Sequence, residues 1–329
     1  MCTSITMKTK SDLHLLARTM DFSFELDPNM IIIPRNVPLT FLEREEITSH
    51  YAFMGLSKDI NKTYIFADGI NEHGLSAAVL YFASYATYND KVDSKKNNLA
   101  PFEVISYLLA TCKTVDDVEK AFKQINLIDE PLSFIGATPP FHWVVLDKTG
   151  KSVIIEPLKT GIKITPNTLG VMANSPDIDW HYTTVKNYIG LNKHHVDPLT
   201  INGLTFEPFG QGSASFGIPS DYTPPTRFIR ALYNKLTINP VDSESDLIIV
   251  TNAILNSVKI TKGTVKTSKN TVDYTQYTSF MCVNNLNYYF TLYTDPTISR
   301  VSFTDFNLDN KKPIIKELND NVVFSTILG

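Results

Sequence analysis

Hydrophobic and polar residues alternate along much of the chain, which is the pattern of β-strands with one buried face. In residues 3–7, Thr3, Ile5 and Met7 fall on one face, and a turn at 10–12 leads into a second strand over 14–20. Segment 75–82 is almost continuously apolar, which is typical of a strand covered on both faces. The same reasoning predicts strands at 31–33, 51–55, 64–67, 142–146, 152–156, 161–164, 169–173, 277–283, 288–294 and 299–303.

Helical spacing interrupts the strands in two places. It predicts helices over 101–112, 114–125, 226–235 and 245–258. Thr114 is expected to cap the second helix, because acidic residues follow in its first turn. The order of strands, two helices, strands, two helices, strands predicts an α+β protein. We expect a four-layer αββα sandwich, in which two antiparallel sheets are flanked by helices.

Composition and turn chemistry lead to expectations for three further segments. Segment 68–74, Asp-Gly-Ile-Asn-Glu-His-Gly, is predicted to be a turn between strands. Segment 169–173 is expected to continue the meander of the strands before it. Residues 190–225 are rich in Gly, Pro and Asn, so we expect a long ordered loop there.

Composition and charge limit the classes of protein to which the chain can belong. The chain has 329 residues, 43% of them hydrophobic, and no linker-like segment, so we expect one domain over 1–329. Its net charge is -4 and it has no run of Lys or Arg, which argues against a nucleic acid partner. No apolar run reaches the roughly 18 residues of a membrane span. The first residues lack the basic-then-apolar order of a signal peptide, so we expect a cytoplasmic protein.

The three cysteines, Cys2, Cys112 and Cys282, are odd in number and widely spaced. This argues against a disulfide framework and against a zinc site, so no metal and no cofactor are expected. Cys112 and Cys282 lie in apolar runs and are predicted to be inert buried thiols.

Cys2 follows the initiator methionine directly. Its small side chain should allow a methionine aminopeptidase to remove Met1, which would leave an α-amine and a thiol on one residue. A free α-amine has a pKa near ~7.7–8.0 and can act as a base near pH 8. A base and a nucleophile on one residue form a catalytic unit. The alternative is that a small residue after Met1 is incidental.

Two charged residues on the second strand could serve Cys2. Arg18 is a permanent cation among apolar neighbours, and beside Cys2 it would favour the thiolate. Asp21, at the end of the strand, could accept a hydrogen bond from the α-amine. The structural alternatives are an ion pair between Arg18 and Asp21, or a turn cap at Asp21.

These N-terminal residues resemble the start of penicillin V acylases and bile salt hydrolases. Those enzymes form the choloylglycine hydrolase family of N-terminal nucleophile hydrolases, which has the αββα fold. The resemblance extends over nearly the whole chain, through segments 2–6, 17–22, 68–75, 155–157, 170–176, 209–212, 221–228 and 274–279. It implies an amide hydrolase that assembles as a homotetramer.

The resemblance also implies residue roles. Cys2 matches the nucleophile, with its own α-amine as general base, and Arg18 and Asp21 match the charged residues beside it. Asn174 matches the asparagine whose amide donates to the oxyanion, and Arg227 matches a second active-site arginine. Without the resemblance, Asn174 would be interpreted as an Asx-turn before Ser-Pro.

Tyr81 falls where the family carries tyrosine or asparagine, and its backbone N–H would be the other oxyanion donor. Tyrosine is more typical of penicillin V acylases, and asparagine of many bile salt hydrolases. Within Leu80-Tyr81-Phe82 it could equally be a core aromatic residue.

An apolar site wall is predicted from aromatic runs and an apolar loop rich in loop-forming residues at 131–140. Its members are Met20, Phe22, Phe24, Phe134, Ile135 and Phe141, although aromatic runs are often plain core. The acyl group would then be apolar, either phenoxyacetyl or a steroid acid.

The sequence therefore predicts a hydrolase of linear non-peptide amides similar to penicillin V acylase. The alternatives are a hydrolase of conjugated bile salts, or of another N-acyl amide such as an acyl-homoserine lactone. A third alternative is a binding protein on the same fold that has no catalytic activity. The Gly-rich segment 210–217 lacks phosphate-loop spacing. The resemblance implies that this region helps subunits to assemble, so we interpret it as structural or as part of a subunit interface.

Overall fold

The computed structural model describes residues 1–60, 63–133, 135–318 and 322. In these residues the strands are β1 Cys2–Lys8, β2 His14–Phe22, β3 Asn29–Ile33, β4 Phe53–Ile60, β5 Thr63–Phe66, β6 Asp68–Asn71, β7 Ser76–Tyr81, β8 Asn97–Leu99, β9 Ile125–Leu127, β10 Phe141–Leu146, β11 Ser152–Leu158, β12 Gly161–Pro166, β13 Val171–Ala173, β14 Leu199–Ile201, β15 Leu204–Phe206, β16 Val265–Lys266, β17 Val272–Cys282, β18 Asn287–Leu292, β19 Ser299–Ser302 and β20 Ile314–Lys316. The α-helices are α1 Val104–Thr111, α2 Val115–Gln124, α3 Ile178–Thr184, α4 Pro224–Thr237 and α5 Glu244–Asn256.

Two large antiparallel sheets are built from these strands. The first sheet has the order β13-β1-β2-β17-β18-β19, with β16 paired to β17. The second sheet has the order β12-β11-β10-β7-β6-β4-β3-β20, with β5 paired to β4. The strand that begins at Cys2 thus lies inside the first sheet, between β13 and β2.

The sheets face each other, and helices cover their outer faces. On β3, Met30 and Ile32 belong to the core between the sheets, whereas Ile31 and Ile33 belong to the core under α1 and α2. This follows from the two-residue period of a strand with both faces buried. Helices α4 and α5 pack on β1 and β13 or β17 of the first sheet. The predicted αββα sandwich is confirmed.

The helices form close to their predicted positions. Thr114 accepts a hydrogen bond from the backbone of Asp117 at 3.2 Å and caps α2, as expected. Helix α4 begins at Pro224, whose fixed φ suits a first helical turn. This places Arg227 in the first turn and close to the inner strands of the first sheet.

The predicted turn over 68–74 is largely wrong, because Asp68–Asn71 forms β6. Gly69 is needed here for close strand packing rather than for a turn. A Cβ on Gly69 would lie 2.7 Å from the carbonyl oxygen of Met54 on β4. The chain turns only afterwards, at Gly74, which has a φ of +81°.

The prediction that 169–173 continues the meander is also wrong. β13 pairs with β1 in the first sheet, with Thr3 opposite Ala173, whereas β12 is the edge of the second sheet. The chain therefore crosses between the sheets just before Asn174. Helix α3, which the sequence pattern did not reveal, follows, and Asp177 caps it by accepting from the Trp180 amide at 2.9 Å.

The predicted loop over 190–225 contains a small hairpin of β14 and β15. Its large apolar side chains are more than half exposed, notably Leu199, Leu204 and Phe206. Phe209 and Phe216, which follow it, are fully exposed.

Candidate active site

Cys2 lies at the centre of the candidate site and is 3% exposed. It pairs with Met20 on β2, so its side chain faces the space between the sheets, as does that of Arg18. The Cys2 thiol accepts a hydrogen bond from Arg18 Nη2 at 2.8 Å, and the Cys2 backbone N–H donates to Asn174 Oδ1 at 2.6 Å. The sulfur and the nitrogen of this residue are thus both held, as the hypothesis of a terminal catalytic unit requires.

Arg18 connects the two sheets. Its side chain is completely buried and donates to Asp68 Oδ2 on β6 at 3.0 Å. Asp68 also accepts from the hydroxyl of Tyr277 at 2.9 Å and from that of Tyr288. Burial alone would lower the pKa of Arg18, but Cys2, Tyr277 and Asp68 hold it above its ordinary value. A guanidinium that stays charged beside the sulfur stabilises a thiolate there.

Asp21 lies on the other face of the first sheet, completely buried beneath α4. Its carboxylate accepts from Thr275 at 2.5 Å and from Thr19 at 3.2 Å, and Arg227 Nη1 lies 3.8 Å away. Burial raises the pKa of Asp21, and Arg227 opposes the shift. The paired carboxylate and guanidinium sit directly beside the backbone of residues 2 and 3.

The Met1 α-amine occupies a site beside Asp21. It donates to the Asp21 carbonyl oxygen at 2.6 Å and pairs with Asp273 Oδ2 at 3.2 Å. In this form the nitrogen of Cys2 is an amide rather than an amine. Loss of Met1 would leave the Cys2 nitrogen next to Asn174 and would remove the ammonium group from the Asp21 carbonyl oxygen and from the Asp273 carboxylate.

Asn174 and Arg227 complete the ring of groups around Cys2. Asn174 Oδ1 accepts from Arg227 Nη2 at 2.7 Å, and Asn174 Nδ2 donates to the Tyr81 carbonyl at 2.7 Å. Arg227 Nη1 donates to the Cys2 carbonyl at 2.6 Å. The Asn174 side chain therefore makes long-range contacts and not an Asx-turn. The structure brings all six predicted catalytic residues together.

An apolar cavity of about 80 Å³ opens beside the Cys2 sulfur. Of the predicted wall residues, Met20, Phe22, Ile135 and Phe141 line it, as does Tyr81. Leu132, from the predicted wall loop 131–140, also lines it, whereas sequence reasoning missed Leu26, Ile65 and Phe66.

Phe24, another predicted wall residue, is not part of this lining. Phe24 is 41% exposed and packs its ring 5.8 Å from that of Phe22, outside the cavity. Phe24 lies beyond the end of β2 at Phe22, which corrects the prediction that it lines the cavity. Phe134 lies outside the described residues.

The part of the chain that the structure describes contains no group of three or more His, Cys, Asp or Glu side chains that could hold a metal ion. No helix in the same part is long and apolar enough to cross a membrane.

Comparison with known proteins decides the family. Residues 2–316 match the family model of linear amide C–N hydrolases, choloylglycine hydrolase family. The chain belongs to the choloylglycine hydrolase family.

Individual relatives agree with this assignment. The bile salt hydrolase/transferase of Clostridium perfringens is 33% identical over 95% of both chains. The crystal structure of the C2A mutant conjugated bile acid hydrolase from the same organism superposes with a TM-score of 0.91 at 31% identity, covering all of both chains. The penicillin V acylase of Pectobacterium atrosepticum is 27% identical over 70% of this chain and 57% of its own. The chain is thus a family hydrolase with an N-terminal nucleophile fold, as predicted.

Three polar residues of this family member's site were not found by sequence reasoning. Asp68 was interpreted as a turn residue and Tyr277 as a member of an ordinary strand, and Asp273 was assigned to no element. The sequence does contain one signal, since a buried arginine requires a counter-charge. Nothing in the sequence pattern says which of the 34 acidic residues supplies it.

Proposed function

We propose that this protein hydrolyses linear amides of apolar acids, with Cys2 as the terminal nucleophile after removal of Met1. The observation that supports this is the pair of hydrogen bonds that fix the sulfur and the nitrogen of Cys2. Arg18 lies 2.8 Å from its sulfur and Asn174 lies 2.6 Å from its nitrogen, at the mouth of an apolar cavity. This arrangement serves a nucleophile and its base but gives nothing to a passive binding protein.

The reaction proceeds by acyl transfer to sulfur. The α-amine takes the thiol proton, the sulfur bonds to the amide carbon, and the carbonyl π pair moves to oxygen. The α-ammonium then passes the proton to the leaving nitrogen, the C–N bond breaks, and a thioester remains. Water, deprotonated by the same amine, attacks the thioester and releases the carboxylic acid and the free thiol.

The oxyanion needs two donors. One hydrogen of Asn174 Nδ2 is committed to the Tyr81 carbonyl, and the second is left for the substrate oxygen. The Tyr81 backbone N–H is proposed as the other donor. A donor of this kind contributes roughly 3–4 kcal/mol to transition-state stabilisation.

Conjugated bile salts are the first candidate substrate. Relatives that carry this activity in their names match nearly the full length of both chains at above 30% identity, and the penicillin V acylase match is shorter. The apolar lining suits a steroid acid as an acyl group.

Penicillin V is the second candidate, and one observation favours it. Tyr81 lines the cavity at the position where tyrosine is typical of penicillin V acylases.

A side-by-side assay separates these candidates. The enzyme, with loss of Met1 checked by intact mass, is given glycine- and taurine-conjugated bile acids, penicillin V and an acyl-homoserine lactone, and the released amine is quantified. We expect turnover of at least one bile salt, with penicillin V slower by tenfold or more, on the order of 1–2 kcal/mol of discrimination. The reverse ranking would favour the second candidate, and the absence of turnover on every amide would contradict the proposed function.

We also propose that the protein is a cytoplasmic, single-domain homotetramer. The exposed apolar side chains of the β14–β15 hairpin and of Phe209 and Phe216 support assembly, because a patch of this kind marks an interaction surface. Light scattering should give four times the 37.0 kDa of one chain, and Phe209→Ser with Phe216→Ser should lower that mass. A monomer at micromolar concentration would contradict the tetramer.

A further inference from the structure

Three buried titratable side chains, His142, Glu156 and His181, lie together behind Asn174. Each is exposed by 2% or less. His142 on β10 and Glu156 on β11 face the inter-sheet core, with His142 Nδ1 3.8 Å from Glu156 Oε1. His181 extends from α3 toward the same place, where its charge would interact with both.

Two of the three hold the segment that carries Asn174. His181 Nε2 lies 2.8 Å from the Asn174 carbonyl oxygen, and because a carbonyl can only accept, the histidine nitrogen is the donor. Glu156 Oε1 accepts from the backbone N–H of Ile178 at 2.9 Å. The short connection from β13 to α3 is therefore held at both of its ends. His181 on the helix binds its start at Asn174, and Glu156 on the second sheet binds its end at Ile178.

The rings also pack against neighbours of the site. His181 stacks on Phe228, next to Arg227, with ring centroids 4.8 Å apart. His142 stacks on Phe82, next to Tyr81, at 4.1 Å. The cluster thus contacts the backbone of Asn174 and the residues next in the chain to Arg227 and Tyr81. All three of these residues surround Cys2.

None of the three lines the cavity beside the sulfur. Their burial is energetically unfavourable, since both nitrogens of His142, Oε2 of Glu156 and Nδ1 of His181 have no hydrogen-bond partner among the described residues. Burial lowers the pKa of His181 to about 4 and raises the pKa of Glu156 to about 7. At neutral pH His181 is therefore an uncharged donor. Apolar side chains would fill this space at lower cost, which argues for a role beyond stability.

We infer that His181 is a positioning residue for amide hydrolysis, fixing the Asn174 backbone so that the Asn174 amide stays aimed at the substrate oxygen, and that Glu156 supports it through Ile178. This rests on the proposed function, in which Asn174 is an oxyanion donor. Misplacement of such a donor by about 1 Å is enough to cost on the order of 10²-fold in rate.

Two substitutions of His181 test this. His181→Phe keeps a ring for the stack on Phe228 and removes the donor, whereas His181→Gln returns an N–H donor at a similar reach. We expect His181→Phe to lower kcat by roughly 10- to 100-fold. Its KM should change by less than about threefold, because the cavity is untouched. His181→Gln should recover most of the lost kcat, a rescue that a purely structural role of the ring would not give.

The controls separate the possible failures. Alkylation of Cys2 by iodoacetamide should proceed at the wild-type rate in both variants, since Arg18 still contacts the sulfur. An unchanged kcat in folded His181→Phe overturns the inference while the proposed function stands, whereas an inactive wild-type enzyme overturns the proposed function itself.

If His181→Phe does not fold, Glu156→Gln and Glu156→Met give the same comparison. The first keeps an acceptor for the Ile178 N–H, and wild-type kcat in Glu156→Met overturns the inference.

Discussion

We expect Cys2→Ala to abolish amide hydrolysis and to leave the fold intact. In the proposed mechanism the sulfur attacks the amide carbon and carries the acyl group until water releases it, so its loss should lower turnover by at least about 10⁴-fold. The fold should survive, because the C2A mutant of the Clostridium perfringens relative has it. The measurement is release of free amine by wild type and variant under identical conditions, with circular dichroism to compare the folds.

Cys112→Ala is the matched control. Cys112 is also a buried thiol, but it lies in the core under α1 and α2, and burial raises its pKa to about 11. The pKa of Cys282 is likewise raised by burial, to about 12. Neither thiol supplies a thiolate at neutral pH, so Cys112→Ala should keep turnover within about twofold. Residual wild-type turnover in Cys2→Ala, or inactivity in a folded Cys112→Ala, would contradict the assignment of the nucleophile.

A chain that retains Met1 should be inactive. The Cys2 nitrogen is then a peptide amide that donates to Asn174 and has no basic lone pair, so the general base is missing. Met1 also occupies the space beside Asp21 and Asp273. We expect turnover to fall by at least about 10²-fold, the usual contribution of a general base.

Two preparations that differ only at the N-terminus provide the measurement. One is released from a cleavable fusion so that Cys2 is the first residue, and the other is made in a cell-free reaction with methionine aminopeptidase inhibited. Intact mass identifies each, and iodoacetamide labelling confirms that the thiol is present in both. Equal turnover of the two would show that the α-amine is not the base.

Local patterns in the sequence predicted the local structure well. The pattern of apolar residues located most of the long strands in both sheets, although β6, β16 and β20 were not predicted as strands. Capping chemistry at Thr114 located α2 to within a residue of its observed ends. The site residues came from the family resemblance, because a cysteine, an arginine and an asparagine far apart in sequence carry no common pattern.

What the sequence did not predict depends on contacts between distant segments. The aspartate that pairs with Arg18 lies 50 positions away on another sheet, and its neighbour Gly69 suggested a turn although it serves strand packing. The crossing of β13 to the first sheet was missed for the same reason, since a strand of three residues fits either sheet. Periodicity assigns a face to each residue but does not identify the strand that lies beside it.

The site draws its atoms from both sheets, with Cys2 and Arg18 on one and Asp68 and Tyr81 on the other. Sliding of one sheet past the other by a single residue would separate the sulfur from the Tyr81 oxyanion donor and Arg18 from Asp68, while every strand stayed paired. The rate of turnover therefore reports whether the two sheets are packed against each other in the native arrangement. In mild denaturant, catalysis should be lost together with close packing, while the far-ultraviolet signal of the strands still persists in a compact, loosened globule.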